Sequence, residues 1–220
     1  RGTWEGWLRA PAIVKAQPAP WVAIYAACAA PMLRLLGAPS FGIDLTGQSG
    51  SGKSTVLELA SSAVGDPRKG QIIAGWDGTL AGTESGVATR CDMVLCLDEG
   101  QLVPDSRQAE AGALLFAIVS GAGRAKGGLG RMGLQHVDSW RTVLLSTSEQ
   151  GITSWNPHDG VRRRIIELRA VGVATASDST GIREVIADHY GHLYPRLLQA
   201  LVEMTAEERE ELRASYRARR

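Results

Sequence analysis

One octapeptide decides the fold of this chain: Gly47-Gln48-Ser49-Gly50-Ser51-Gly52-Lys53-Ser54. It matches the pattern G-x-x-x-x-G-K-[ST] at every specified position, and this pattern is the signature of a phosphate-binding loop, or P-loop. Residues 41–46 before it predict a strand, and residues 55–60 after it predict a helix. A glycine-rich turn at a helix N-terminus presents backbone N–H groups to phosphate oxygens. The octapeptide therefore predicts a nucleotide-binding α/β domain.

The same motif assigns roles to its residues. We expect Lys53 to reach the β- and γ-phosphates of ATP and the hydroxyl of Ser54 to ligate Mg²⁺. The structural alternative is a glycine- and serine-rich turn that only caps a helix, but such a turn does not require the full pattern. The predicted nucleotide-binding residues are Gly47, Gln48, Ser49, Gly50, Ser51, Gly52, Lys53, Ser54 and Thr55.

A second nucleotide signal lies in residues 91–99, an apolar run that ends in Asp98 and Glu99. Continuous apolar strands are typical of the interior of parallel sheets, and ligands of open α/β sheets bind at the carboxyl ends of the strands. We expect Asp98 to hold the Mg²⁺ shell and Glu99 to polarise the water that attacks the γ-phosphate. Paired acids also occur in surface turns, so the catalytic interpretation depends on the P-loop upstream.

Residues 140–149 form another apolar segment, which ends in hydroxyl side chains. In a parallel sheet this polar end would lie beside Asp98 and Glu99. Ser146 and Ser148 are therefore candidates for a sensor that contacts the γ-phosphate or the attacking water, and Ser148 is our choice. The alternative is that the hydroxyls cap a helix.

Residues 121–133 combine many glycines with the basic residues Arg124, Lys126 and Arg131. The glycines oppose a regular helix, and a flexible basic loop can follow a phosphodiester backbone without reading bases. Arg124, Lys126 and Arg131 are therefore candidate residues for binding a nucleic-acid backbone. A solvated glycine-rich connector explains the composition equally well.

Three consecutive arginines, Arg162, Arg163 and Arg164, precede a strand-like apolar run. The fixed charge and planar fork of arginine suit stabilisation of a phosphoryl group, and we expect Arg164 or a neighbour to act on the site of an adjacent subunit. A basic surface turn is the simpler explanation. The position directly after the sensor strand favours the catalytic one.

The 220 residues are enough for one sizeable core with a helical appendage. A net charge of +1 excludes neither nucleic acid nor a small molecule as a partner, because binding depends on local patches.

Three cysteines without metal-binding spacing predict buried thiols in a reducing compartment. The most apolar run, residues 21–36, is shorter than a bilayer span and contains Pro31 and Arg34. We expect a cytoplasmic protein without a membrane segment, and the start at Arg1 suggests a fragment of a longer polypeptide.

The remaining segments predict the order of the elements. Helices are expected over residues 4–15 and 21–36, separated by a proline-rich turn at 17–20. A later helix, residues 79–88, has Glu84 on its polar side. The predicted fold class is α/β, a P-loop domain with a mostly parallel sheet flanked by helices. We predict an N-terminal helical segment at residues 1–40, a P-loop ATPase core at 41–170 and a C-terminal helical lid or tail at 171–220.

In this order, the P-loop, the acidic strand end, the polar strand and the arginines resemble the core of AAA+ ATPases. The chain more closely resembles the domain of unknown function 927 family, which is similar to superfamily three and minichromosome-maintenance helicases. The resemblance extends from about Ala23 to Leu198. Its carriers are the P-loop, Trp-Asp-Gly-Thr (76–79), Leu-Cys-Leu-Asp-Glu (95–99), Ser-Gly-Ala-Gly-Arg-Ala-Lys (120–126), Trp-Arg-Thr-Val-Leu-Leu-Ser-Thr-Ser-Glu (140–149) and Gly-Val-Arg-Arg-Arg (160–164).

This resemblance implies a hexameric, ATP-driven DNA helicase or translocase, the motor domain of a mobile-element replication protein. It implies ATP and Mg²⁺ as ligands and single-stranded or forked DNA as the partner, with Arg164 or a neighbouring arginine acting in trans. The related helicases commonly have asparagine at the sensor, where this chain has Ser148. Two alternatives stay open. One is an AAA+ switch that remodels proteins without unwinding DNA, and the other is a P-loop kinase, against which the adjacent Asp98 and Glu99 argue.

Overall fold

The computed structural model describes residues 1–123, 138–156, 158–169 and 172–219. Within these residues the centre is a five-stranded sheet in which all neighbouring strands are parallel. The strands lie in the order β2-β3-β4-β1-β5. This confirms the predicted α/β class with a parallel sheet. The strands are β1 (Phe41–Thr46), β2 (Ile73–Gly75), β3 (Val94–Asp98), β4 (Val143–Ser148) and β5 (Ile165–Arg169).

Strand β4 separates β1 from β3 and aligns their ends. Thr46 at the end of β1 is in register with Ser148, and Leu97 near the end of β3 is in register with Ser146. Because the strands are parallel, the segments that follow β1, β3 and β4 meet at one edge of the sheet. The P-loop, Asp98 and the hydroxyls of β4 are therefore brought to that edge.

Helices cover both faces of the sheet and bury its central strands β1, β3 and β4, as the continuous apolar strands predict. One core cluster joins the sheet to α1, α2, α4 and α8, and a second joins it to α5, α6 and α7. Leu45, Leu57 and Ile182 are fully buried in the first cluster, and complete burial of each such side chain contributes about 1.5–3 kcal/mol. The helices are α1 (Trp4–Ile13), α2 (Pro18–Ala29), α3 (Met32–Leu36), α4 (Lys53–Ser62), α5 (Leu80–Thr89), α6 (Asp105–Ser120), α7 (Asp159–Arg162), α8 (Ala176–Asp188), α9 (Leu193–Glu203) and α10 (Ala206–Ala218).

Prolines begin a helix where the sequence predicts a turn. Helix α2 starts at Pro18 and includes Pro20 in its first turn, so the predicted turn at 17–20 is wrong. Proline is tolerated there because the first N–H groups of a helix have no partner within the helix. The predicted helix 21–36 is in fact split, since α2 ends at Ala29 and α3 begins at Met32.

Glu84 does not lie on an exposed polar face of α5. It is only 7% exposed, so this prediction is wrong.

A capping box begins helix α10. The Thr205 hydroxyl accepts from the Glu208 N–H, and the Glu208 carboxylate accepts from the Thr205 N–H.

Helix α1 packs on α8 as well as on the core. Ala10 and Val14 share a buried cluster with Ile182 and Ile186 of α8. Helix α8 also contacts α4 directly, through an ion pair between Arg183 and Glu58. Consequently α8 forms a wall beside the P-loop helix.

In the part of the chain that is described, no helix combines the length and apolar character that crossing a bilayer requires.

Candidate nucleotide-binding site

The P-loop joins β1 to α4, as the octapeptide predicts. Gly50 and Gly52 have φ values of 77° and 85°, in the left-handed region that favours glycine. Gly52 also packs against the chain before α8, where an added Cβ atom would lie 2.7 Å from the nitrogen of Val173. Glycine at position 52 is therefore required by both conformation and packing.

Lys53 is the first residue of α4 and is almost entirely buried. Its Nζ donates hydrogen bonds to the carbonyl oxygens of Gly47 (2.6 Å) and Gln48 (2.7 Å). The ammonium thus lies against the loop backbone at the N-terminus of a ten-residue helix. Helix dipole, backbone N–H groups and ammonium together create the positive potential that phosphate oxygens prefer.

Asp98 is the point at which three elements converge. Its Oδ1 accepts hydrogen bonds from Ser54 Oγ (3.1 Å) at the start of α4 and from Thr147 Oγ1 (2.5 Å) on β4. The Asp98 side chain is only 4% exposed. A buried carboxylate beside a hydroxyl is the oxygen-donor chemistry that Mg²⁺ prefers, so Ser54 and Asp98 fit the predicted metal site.

Glu99 has an unusual backbone conformation, with φ 63° and ψ 50°. A left-handed conformation costs a non-glycine residue of order 1–3 kcal/mol and is concentrated at functional sites. Its N–H donates to Thr147 Oγ1 (3.1 Å), and its Oε2 accepts from Lys69 Nζ (2.6 Å). The side chain is 39% exposed, so Glu99 is open to solvent beside the buried Asp98.

Ser146 and Ser148 contact a buried acid rather than Asp98. Their Oγ atoms donate to the Asp44 carboxylate on β1, at 2.6 and 2.5 Å. Burial raises the pKa of Asp44, and hydrogen bonds from these serines, the Ile152 N–H and the Thr46 hydroxyl oppose that rise.

Alternation along β4 places Thr147 between the two serines on the opposite face, against Asp98. Thr147 was not predicted from the sequence. Asp44 is the residue in the sequence that could have distinguished the two serines from Thr147. A carboxylate inside an apolar strand requires hydroxyl partners, and Ser146 and Ser148 are those partners.

A pocket of about 440 Å³ is lined on one side by the P-loop and on the other by α8. Helix α8 contributes Ser179, Thr180 and Arg183 to the lining, and Glu99 and Thr147 lie at the sheet edge. Arg183 Nε donates to Glu58 Oε2 at 2.7 Å. Arg183 was not predicted from the sequence, since its position depends on α8 folding back against α4.

Arg164 lies at the other edge of the sheet. Its carbonyl oxygen accepts from the N–H of Gly42, near the start of β1, whereas the P-loop follows the end of that strand. Six residues at about 3.3 Å each separate the two edges by roughly 20 Å. Arg164 therefore does not reach the P-loop of its own chain. Arg162 and Arg163 are exposed.

The three predicted DNA-binding residues, Arg124, Lys126 and Arg131, lie outside the described residues. The ends of their loop are described and lie together. Gly123 N–H donates to Asp138 O at 2.8 Å, and Trp140 N–H donates to Gly121 O at 2.9 Å. The chain therefore leaves α6 and returns to β4 at the same place.

The family model described as "Domain of unknown function (DUF927)" matches residues 1–131, more than half of the chain. The chain belongs to the DUF927 family. The matched part includes the P-loop and Asp98–Glu99, whereas Thr147 and Arg183 lie beyond it. The predicted family is confirmed, although the resemblance was expected from about residue 23 to 198.

A solved structure of the SCCmec type IV Cch active helicase shares 27% sequence identity with this DUF927 chain, with a TM-score of 0.76. The match covers 91% of this chain and 38% of the Cch chain, so the present chain spans well under half of that helicase. The X-ray structure of the JCV helicase is 11% identical with a TM-score of 0.40, covering 97% of this chain and 64% of that one. Among curated protein sequences, none matches significantly.

Proposed function

We propose that this chain is the ATP-hydrolysing core of a hexameric DNA helicase or translocase from a mobile-element replication protein. One observation carries the ATPase assignment: Lys53, Ser54, Asp98 and Glu99 meet at a single edge of the sheet, with Ser54 Oγ 3.1 Å from Asp98. A P-loop alone binds phosphates. An acid pair beside it adds the group that a hydrolytic reaction needs.

Each residue has a defined task in this proposal. The P-loop N–H groups and Lys53 hold the β- and γ-phosphates of ATP, and Ser54 with Asp98 holds the cation. Mg²⁺ held there would supply positive charge against the phosphate oxygens. Glu99 orients a water molecule for attack on the γ-phosphorus and takes up its proton, while the bond to the β-phosphate oxygen breaks and ADP leaves. Thr147, rather than Ser148, is the proposed polar sensor because it joins Asp98 to Glu99.

The helicase part of the proposal has separate support. The fold is shared with the Cch helicase over nearly the whole of this chain. The basic loop with Arg124, Lys126 and Arg131 supplies charges for a phosphodiester backbone. The position of Arg164 at the far edge of the sheet suits an action on a neighbouring subunit, which is why we propose a ring.

DNA-stimulated ATP hydrolysis tests the function. We expect single-stranded DNA to raise the rate of hydrolysis, and the double variant R124E/K126E to lose both DNA binding and this stimulation while its basal rate stays intact. The control is R217E, a charge reversal on α10. Equal rates with and without DNA in the wild-type protein would favour a protein-remodelling ATPase instead.

Mixing of inactive variants tests the action of Arg164 in trans. K53A removes the phosphate-binding ammonium and R164A removes the proposed finger, which in other P-loop enzymes is worth about 10³–10⁵ in rate. Each variant alone should be inactive. Their mixture should regain activity, because a K53A subunit still offers its Arg164 to an intact P-loop next to it. An inactive mixture of variants that do associate would show that Arg164 acts otherwise.

A further inference from the structure

Lys69 lies in the connection between α4 and β2, and the backbone of this connection is held in place. The N–H of Gly70 donates to the carbonyl oxygen of Ile73 at 2.8 Å. Asp66 accepts hydrogen bonds from Arg68 and from the hydroxyl of Tyr190. The main chain at Lys69 is therefore anchored on both sides, while its side chain is 60% exposed.

The Lys69 ammonium contacts both acids of the site. Its Nζ is 2.6 Å from Glu99 Oε2 and 3.6 Å from Asp98 Oδ2. The hydrogen bond to Glu99 is the main cause that raises the pKa of Lys69, so its positive charge persists at neutral pH. Ser54 and Thr147 both contact Oδ1 of Asp98, and Lys69 is on the side of Oδ2.

These contacts oppose the chemistry proposed for the same acids. A carboxylate paired with an ammonium at 2.6 Å is a poor acceptor for the proton of a water molecule. A cation held by Ser54 and Asp98 would bring a second positive charge to an acid that Lys69 already neutralises, and like charges repel. Both difficulties disappear once the lysine side chain swings into solvent.

We propose that Lys69 competes with the divalent cation for Asp98, and keeps the Glu99 carboxylate in an ion pair until Mg·ATP binds. Lys69 is thus a positioning residue that sets the Mg²⁺ concentration at which the site becomes competent. The inference rests on the proposed ATPase function. A largely exposed ion pair is worth little free energy, so the contact is weak enough to be displaced by the cation. The anchored main chain lets the side chain leave without any rearrangement of the loop.

Nucleotide binding measured against Mg²⁺ concentration tests the proposal without relying on turnover. The probe is a fluorescent ATP analogue, titrated with MgCl₂ in the presence of wild-type protein, K69M, K69Q and K69R. The Mg²⁺ midpoint is the MgCl₂ concentration at which analogue binding is half-maximal. We expect this midpoint to fall about three- to fivefold in both neutral variants, and to stay near wild type in K69R, which keeps the charge. The matched control K15M removes an exposed lysine after α1, outside the pocket, and should leave the midpoint unchanged. Basal ATP hydrolysis at low Mg²⁺ should rise in K69M and K69Q.

Different results would refute the role of Lys69 and the proposed ATPase function. An unchanged or raised Mg²⁺ midpoint in folded K69M and K69Q overturns the role of Lys69, and so does a large fall in their hydrolysis rate. Failure of the wild-type protein to bind the analogue at any Mg²⁺ concentration refutes the nucleotide site itself.

Discussion

Two substitutions on neighbouring residues of β4 distinguish the sensor position from the structural one. Thr147→Val keeps the shape of the side chain and removes its hydroxyl. That hydroxyl donates to Asp98 at 2.5 Å and accepts from the Glu99 N–H at 3.1 Å, so both acids lose a support. Ser148→Ala removes one donor to the buried Asp44 instead.

T147V is expected to reduce both activity and stability, whereas S148A is expected to reduce stability alone. Loss of a partner that orients a metal ligand typically costs 10- to 100-fold in activity, so T147V should lower kcat/KM for ATP by about that factor. A hydrogen bond to a charged group is worth about 1.5–3 kcal/mol, so S148A should lower the free energy of unfolding by roughly that amount. T147V should lose comparable stability, since Thr147 is also buried. S148A should nevertheless keep kcat/KM within about twofold of wild type.

Steady-state ATPase rates and urea unfolding of both variants distinguish a catalytic role from a structural one. The rates are measured well below the unfolding transition, so that a stability loss alone does not reduce them. If S148A loses activity to the same extent as T147V while retaining its stability, Ser148 belongs to the catalytic site and not to the support of Asp44.

Three further predictions concern the pocket wall, a surface loop and a core thiol. R183Q should raise the KM for ATP several-fold, because it removes a positive charge from the pocket wall, whereas E58Q keeps that charge and should leave KM near wild type. The Arg68 hydrogen bond lowers the pKa of Asp66 to about 2, so its stabilising effect is present above the unfolded pKa near 4 and is lost as the pH falls through 2. Urea titrations should therefore show D66N less stable by at most about 1 kcal/mol at pH 6, with a smaller difference at pH 3. Burial raises the pKa of Cys96 to about 11, so native protein should resist iodoacetamide at this residue at pH 8, and unfolded protein should react, as judged by peptide mass spectrometry.

Local patterns were sufficient for the α/β class with a parallel sheet and for the phosphate end of the site. The P-loop spacing fixes a strand, a turn and a helix in order, and the apolar run before Asp98 fixes a buried strand whose end lies beside them. These features depend on residues close together in the chain. For the same reason the N-terminal prolines were misleading, because Pro18 is equally compatible with a turn and with the first turn of a helix.

The residues that were not predicted depend on contacts between distant segments. Thr147 differs from Ser146 and Ser148 only in the face of β4 that it occupies, which is set by the partner of each side chain across the sheet. Lys69 contacts Glu99 from a loop, and Arg183 reaches the pocket because α8 packs against the P-loop helix. No periodicity or spacing in the sequence reports such contacts.

The proposed hydrolysis depends most directly on Glu99, and E99Q is the substitution that isolates it. Binding of a fluorescent ATP analogue and single-turnover hydrolysis of ATP should be measured on the same preparation. Glutamine cannot take up the proton of the attacking water, so we expect analogue affinity within about threefold of wild type and a hydrolysis rate lowered about 100-fold or more. Hydrolysis at the wild-type rate with analogue binding intact would contradict the proposed ATPase mechanism.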